Sequence, residues 1–410
     1  MQHADRMLQD IVDSLAARLE RSVAIDDPQI KLLAASRHFG DEDRARIESV
    51  LHREVGPENV RYVMSHGISG WHEPGWMPPD DALGVHGRIC APVRCHGLLL
   101  GYLWLIDPDG SAFEGDLAPV TRAAEAAGVV LYRSLMLHEQ QQRRAADLLL
   151  DLLSADGERR AHAAVVARDE RLLTEPGPVV VLAAALEGDS PELEVLLSAA
   201  AEYAVRPLPA GAALVRVAGA GLTLLLSAAA LDAEVSAVEV AERLVARVGE
   251  LAGEDVGCAV GVGSAGPDLA HALASYRHAT SAQRVARAVA GAGPVAVWDR
   301  LGAYSLLARL GPEDLTPQSC PAPVARLLAD GRSAHLLETL ETYLDHAGDA
   351  ARTAAALRIH RTTLYYRLGR AEQVAGIDLR DGADRLTVHL GVKLARLAGW
   401  IDDAGAFRQM

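Results

Sequence analysis

Apolar positions along the chain switch repeatedly between helical and strand spacing. Met7, Leu8, Ile11, Leu15 and Leu19 recur every three or four residues, which predicts an amphipathic first helix. Strand-like segments follow at residues 22–25 and 30–35, joined by the turn residues Asp26-Asp27-Pro28. A clearer hairpin comes later, where residues 88–93 and 98–106 flank Cys95-His96-Gly97 and end at Asp107-Pro108-Asp109-Gly110. Residues 1–135 are therefore expected to form an antiparallel sheet flanked by helices.

Residues 113–153 read as mostly helical, with Leu131, Leu135, Ala145, Leu149 and Leu152 on one stripe. The polar run 138–144 interrupts that stripe, so residues 136–175 are expected to be a helical linker. Residues 176–300 then give strand 179–186, helix 191–203, strands 213–218 and 222–226, helix 234–251, strand 257–262, helix 268–289 and strand 295–298. The order β-α-β-β-α-β describes a ferredoxin-like core with an added helix and strand. A Pro-rich and helical joint at 301–334 separates it from a last helical domain at 335–400.

In that last domain Leu336, Leu337, Leu340, Tyr343 and Leu344 mark one helix face, ending near Gly348. Asp349 fits the N-cap of a second helix, in which Ala351, Ala354 and Ala355 are small enough for a close helix crossing. After a tight turn at 358–360, Leu364, Leu368, Ala371 and Ala375 form the buried stripe of a third helix. Two helices so joined describe a helix-turn-helix.

Charge sharpens the picture. The formal net charge is -15, yet the segment 351–370 holds Arg352, Arg358, Arg361, Arg367 and Arg370 and no acid. Any contact with nucleic acid must therefore come from this local patch. Arginine binds guanine or phosphate, and threonine and tyrosine hydroxyls commonly reach phosphate oxygens. The expected DNA contacts are Arg361, Thr362, Thr363, Tyr365, Tyr366, Arg367 and Arg370, with Arg352 and Arg358 beside them. One recognition helix reads few base pairs, so a homodimer or higher homo-oligomer on a palindromic duplex operator is expected.

Composition bounds the rest. Half of the residues are hydrophobic and 23% are charged, as in a globular protein of several domains. Four scattered cysteines, no signal-peptide pattern and no long uncharged apolar run lead to the expectation of a cytoplasmic protein with no membrane contact. Every basic residue except Lys31 and Lys393 is arginine.

Residues 336–397 resemble the C-terminal DNA-binding domain of the PucR/CdaR family of bacterial transcription regulators. The resemblance is carried by Leu337-Glu338-Thr339-Leu340, Tyr343-Leu344, Ala354-Ala355-Ala356-Leu357, and Ile359-His360-Arg361-Thr362-Thr363-Leu364-Tyr365-Tyr366-Arg367-Leu368. Gly376-Ile377-Asp378-Leu379 and Asp384-Arg385-Leu386 extend it. The segment is also similar to the helix-turn-helix of the Fis protein, and the family more often has Asn where Thr362 stands. Residues 1–135 resemble a GAF-type sensory domain through Ala91-Pro92-Val93, Gly97 and Gly101-Tyr102-Leu103-Trp104-Leu105. The middle domain is similar to a degenerate GGDEF-like domain through Ala259-Val260-Gly261-Val262-Gly263 and the helix from Tyr276. The resemblance implies an α+β multidomain regulator: a GAF-like sheet, a ferredoxin-like/GGDEF-like middle domain and an all-α helix-turn-helix.

Chemistry finds little support. A diguanylate cyclase needs carboxylates at a Gly-rich hairpin to hold its metal ions, and Val217-Ala218-Gly219-Ala220-Gly221-Leu222 carries none. Gly261-x-Gly263-x-x-Gly266 has dinucleotide-binding spacing, but the surrounding order does not read as a parallel βαβ unit, and a strand-ending turn is the expected role. Cys90 and Cys95 lack a second matching pair for a metal, and packing is the better account of Cys90. No nucleophile elbow is present, so neither an enzyme nor a cofactor is expected. His66, Trp71, His72 and Trp76 form an unusually aromatic loop and are candidates for a small-molecule effector pocket. The rival reading is a ligand-binding signalling protein whose helical C-terminus makes protein contacts.

Overall fold

The computed structural model describes residues 2–52, 55–173, 177–188, 190–227, 236–253, 256–311, 313–329 and 334–401. They form two compact units, residues 1–142 and 143–410.

The first unit begins with α1 (Gln2–Leu19), whose Leu8 and Leu15 are buried and Ile11 and Leu19 half-buried as the pattern predicts, whereas Met7 is exposed and Val12 and Ala16 complete the inward face. Strands β1 (Val23–Asp26) and β2 (Leu32–Ala35) follow, then α2 (Arg44–His52), α3 (Pro57–Ser65) and β3 (Gly75–Met77). The long hairpin β4 (Arg88–Cys95) and β5 (Leu98–Ile106) completes an antiparallel sheet of order β2-β1-β5-β4-β3. Alternation along β4 sends Ile89, Ala91 and Val93 to a core with α1, while Cys90 faces the opposite side with Tyr102 and Trp104. Cys90 is fully buried and burial pushes its thiol up, so it acts as a small packed hydrophobe.

Helix α4 (Ala118–Leu152) is continuous through the polar run 138–144. Its Val120, Ala124, Ala127 and Val130 belong to the first core, whereas Leu148, Leu149 and Leu152 belong to a core of the second unit. There α5 (Gly157–Asp169) is capped by Asp156, which accepts from Glu158 N at 2.9 Å.

The second unit contains β6 (Val179–Leu186), α6 (Pro191–Val205), β7 (Ala213–Ala218), β8 (Gly221–Ser227), α7 (Ala237–Ala252), β9 (Cys258–Val262), α8 (Ala272–Ala288) and β10 (Val295–Val297). Its sheet has the order β10-β9-β6-β8-β7, the ferredoxin-like arrangement plus one edge strand. The α7 start expected at 234 lies outside the described residues; Ser236 and Glu239 form a reciprocal capping box just before Ala237. β6 is apolar throughout because both of its faces are covered. Val180, Leu182, Ala184 and Leu186 meet α6 and α7, while Val179, Val181 and Ala183 meet α4, α5 and α8.

The sequence reading of the Gly-rich segment needs a correction. β10 pairs parallel to β9 with α8 between them, so the segment does lie in a parallel β-α-β unit. A Cβ on Gly261 would stand 2.0 Å from Ala279 O, and one on Gly263 would stand 2.1 Å from Ser275 O. These glycines let α8 lie directly on β9, and the space a phosphate would need is taken by the helix.

Two short helices, α9 (Tyr304–Leu307) and α10 (Ala322–Ala329), occupy the segment read as a joint, of which Pro312 and residues 330–333 lie outside the described residues. The last four helices are α11 (Ala334–Asp345), α12 (Ala350–Ala356), α13 (Arg361–Ala375) and α14 (Gly382–Leu397). They close on one core with α10, whose Val324 and Leu327 are buried against α13 and α14.

Candidate nucleic-acid interface

The interface is built on how α12 and α13 are fixed. Asp349 caps α12, its Oδ1 accepting from Ala351 N at 2.8 Å and Arg352 N at 3.0 Å, and these bonds hold its carboxyl below the usual range. Thr353 is fully buried and its hydroxyl donates to Asp349 O at 2.6 Å. The inward face of α12 differs from the alanine pattern expected: Ala350, Thr353 and Ala354 pack inward, whereas Ala351 and Ala355 are exposed. Packing of Ala350, Thr353 and Ala354 against the domain core leaves those two alanines facing solvent.

The turn passes through Arg358 at φ +52°, with Ile359 N donating back to Ala354 O at 3.0 Å. Glycine is the usual residue in this left-handed position, and a side chain there costs about 1 kcal/mol. Arg358→Gly is therefore expected to raise the melting temperature slightly while weakening binding to duplex DNA. Paired melting and anisotropy measurements check this; a variant that binds DNA as tightly as the parent removes Arg358 from the interface.

His360 caps α13, its side chain accepting from Thr362 N at 3.3 Å, with Nδ1 2.8 Å from Thr362 Oγ1. Leu364, Leu368, Ala371 and Ala375 are buried, as the stripe predicts. At the other end Gly376 takes φ +65°, and the guanidinium of Arg326 on α10 donates to Ala375 O. A cation on the last carbonyls of α13 also suits the helix dipole. Arg326 carried no signal in the sequence, because its partner lies 49 residues away.

With its stripe buried, α13 turns the opposite face outward. Arg361, Thr362, Thr363, Tyr365, Tyr366 and Arg370 are exposed, Tyr366 at 74%, and Arg352 and Arg358 are exposed beside them. Arg361 packs over the Tyr365 ring at 5.6 Å and donates to its hydroxyl at 3.2 Å, an arrangement that fixes both side chains. Gln373, one turn beyond Arg370 and accepting from it at 3.3 Å, extends the same face and was missed by the sequence reading. The spacing from Tyr366 to Gln373 was the available signal.

Arg367 is placed differently from its neighbours. It is half-buried, and its Nη1 donates to Thr339 Oγ1 at 3.3 Å, tying α13 to α11. Among the described residues none of the five arginines has a carboxylate within ion-pairing distance. Elsewhere in the same domain Lys393 pairs with Asp345, which His389 also contacts, Arg396 pairs with Glu341, and Arg380 pairs with Asp378. Asp345 is held down to about 2 by His389 and Lys393. The unmatched positive charge is thus concentrated on the α12–α13 face, where phosphate oxygens are the natural complement.

The aromatic loop of the first unit does not make one pocket. Trp71 packs with the core containing Cys90 and Trp104, and Trp76 with the core on the opposite side of the sheet. His66 stands edge-on to Tyr62 at 4.7 Å and lies 2.9 Å from its carbonyl, and His72 is exposed. None of the four lines the cavity under α2.

Comparison with known proteins agrees with this geometry. Residues 336–394 match the PucR C-terminal helix-turn-helix domain, and residues 158–285 match a GGDEF-like domain. The chain is 28% identical to the carbohydrate diacid regulator of Escherichia coli (strain K12), over 96% of this chain and 98% of that protein. It is 21% identical to the DNA-binding transcriptional activator AdeR of Bacillus subtilis (strain 168), over 95% and 93%. Identity is also 21% to the proline-responsive transcriptional activator PutR of the same organism, over 94% and 96%. These relatives are regulators, and the chain, which carries a PucR-type helix-turn-helix domain and a GGDEF-like domain and is similar to them along nearly its whole length, is a DNA-binding transcriptional regulator.

Proposed function

We propose that this regulator is sequence-specific and effector-responsive, and that it acts in the cytoplasm as a homodimer or higher homo-oligomer on a palindromic operator. The observation that carries the reading is the α13 face, where Arg361, Thr362, Tyr366 and Arg370 are exposed on a helix locked by its own buried stripe. A single recognition helix reads few base pairs, and pairing two of them is the usual route to useful specificity. The N-terminal unit is the sensory domain in this reading, and α4 together with the GGDEF-like domain relays its state. In support of a soluble site of action, no helix among the described residues is long and apolar enough to cross a membrane.

Selection of duplexes from a random library by the full-length protein tests this. The expected product is an inverted repeat with half-sites about one helical turn apart, or a multiple of it. Tyr366→Ala with Arg370→Ala should flatten the base preference within each half-site. Recovery of unenriched sequence, or of single half-sites bound by a monomer, overturns the reading.

A further inference from the structure

One cation of the last domain stands apart from the paired ones. Arg385 lies on α14, half-buried, and among the described residues its guanidinium has no hydrogen-bond or ion-pair partner. The acids near it in the chain are committed elsewhere. Asp384 accepts from Asp378 N at 2.8 Å, Asp381 caps α14 through Ala383 N at 2.8 Å and Asp384 N at 3.0 Å, and Asp378 pairs with Arg380. Asp345 is taken by Lys393 and His389, and Asp349 by the first N–H groups of α12.

The guanidinium nonetheless has a fixed station. It stands over Gly348, in the turn between α11 and α12, where a Cβ would meet Arg385 Nη2 at 2.9 Å and Tyr343 Oη at 3.3 Å. Gly348 takes φ +85°, which glycine adopts without strain, and its N–H is spent on Tyr343 O at 2.8 Å. The bare Cα thus leaves Nη2 and Oη facing one small space, and the Tyr343 hydroxyl also has no partner among the described residues. Half-burial costs a guanidinium part of its hydration, and no acceptor in the fold makes up for it. A guanidinium beside a hydroxyl is a donor set that suits phosphate oxygens. Position selects the phosphate. In the homeodomain form of the helix-turn-helix, the loop ahead of the motif's first helix contacts the DNA backbone. Gly348 lies in that loop, and Arg352 follows it, exposed in the first turn of α12.

We propose that Arg385 and the Tyr343 hydroxyl grip a backbone phosphate of the bound duplex, at the end of α12 remote from the recognition helix. The contact extends the footprint of each protomer beyond the major groove and adds affinity without reading bases. It rests on the reading of α12–α13 as the DNA-binding face. A parent protein that does not bind duplex DNA removes both, whereas a parent that binds while the Arg385 variants behave like it removes this contact alone.

Binding of the full-length protein to a short random-sequence duplex is followed by fluorescence anisotropy across a potassium chloride series. Arg385→Gln is expected to lower affinity about fivefold per protomer at 0.15 M salt and to make the slope of log affinity against log salt shallower by about 0.9. Arg385→Lys keeps the charge and should keep the slope. Tyr343→Phe should weaken binding about threefold and leave the slope unchanged. Duplexes selected by Arg385→Gln should carry the parent's base preference, and its melting temperature should match the parent's, since no internal partner is lost. A merely structural Arg385 predicts a lower melting temperature with an unchanged salt slope, and that result overturns the proposal. So does an altered base preference, or an Arg385→Lys slope as shallow as that of Arg385→Gln.

Discussion

Replacing Arg352, Arg358, Arg361 and Arg370 together by alanine is expected to lower affinity for duplex DNA by about 10³-fold at 0.15 M salt, with the fold intact. All four are exposed, and none has a carboxylate partner among the described residues, so their removal orphans no buried group. Each phosphate contact contributes about 0.9 to the slope of log affinity against log salt, so the slope should become shallower by roughly 3 to 4. Fluorescence anisotropy across a potassium chloride series reads both quantities, and thermal melting reads the fold. Arg367→Ala is the informative contrast. Because Arg367 ties α13 to Thr339 of α11, its loss should cost about 1 kcal/mol of stability and reduce DNA affinity chiefly through helix placement. An unchanged salt slope in the fourfold variant would remove α12–α13 as the binding face.

A second large effect is expected in the first unit. Asp26 is buried, and desolvation, tempered by the Trp104 indole and the charges of Arg46 and Arg88, raises its carboxyl from 3.8 to about 7. The folded protein therefore keeps a proton that the unfolded chain releases. The contribution of Asp26 to stability is greatest below about pH 4, falls as pH rises towards 7, and is flat above that. Asn mimics the protonated carboxyl, so Asp26→Asn should stabilise the first unit at pH 8 by on the order of 4 kcal/mol and by almost nothing at pH 4. Melting curves of parent and variant between pH 4 and pH 8 check the sign. A variant that is destabilised at pH 8 means Asp26 is ionised and paired in the native state.

The recognition helix and the Arg385 contact were unequally legible in the sequence, and the reason is distance along the chain. The recognition helix could be read because its evidence is local: Leu364, Leu368, Ala371 and Ala375 repeat within one helix, and Asp349 caps two residues from its partner. The contact could not, since Tyr343, Gly348 and Arg385 come from separate parts of the domain that only its folding brings together. The aromatic loop misled for a related reason. Enrichment in Trp and His says nothing about which face of a sheet each side chain takes, and Trp71 and Trp76 take opposite ones. The parallel pairing of β9 with β10 was missed because strand order depends on where α8 crosses, which the glycines reveal only once the helix is seen against them.

The arginines of the α12–α13 face have a further consequence. A guanidinium stays charged at every physiological pH and does not undergo the acetylation by which lysine charge is commonly erased. The molecule's two lysines, Lys31 and Lys393, lie outside the segment 351–370. Neither acidity nor acyl transfer can dim this face by cancelling its arginine charge. Its attraction for a polyanion is permanent, and control over such a surface has to act through where and in what company it is presented.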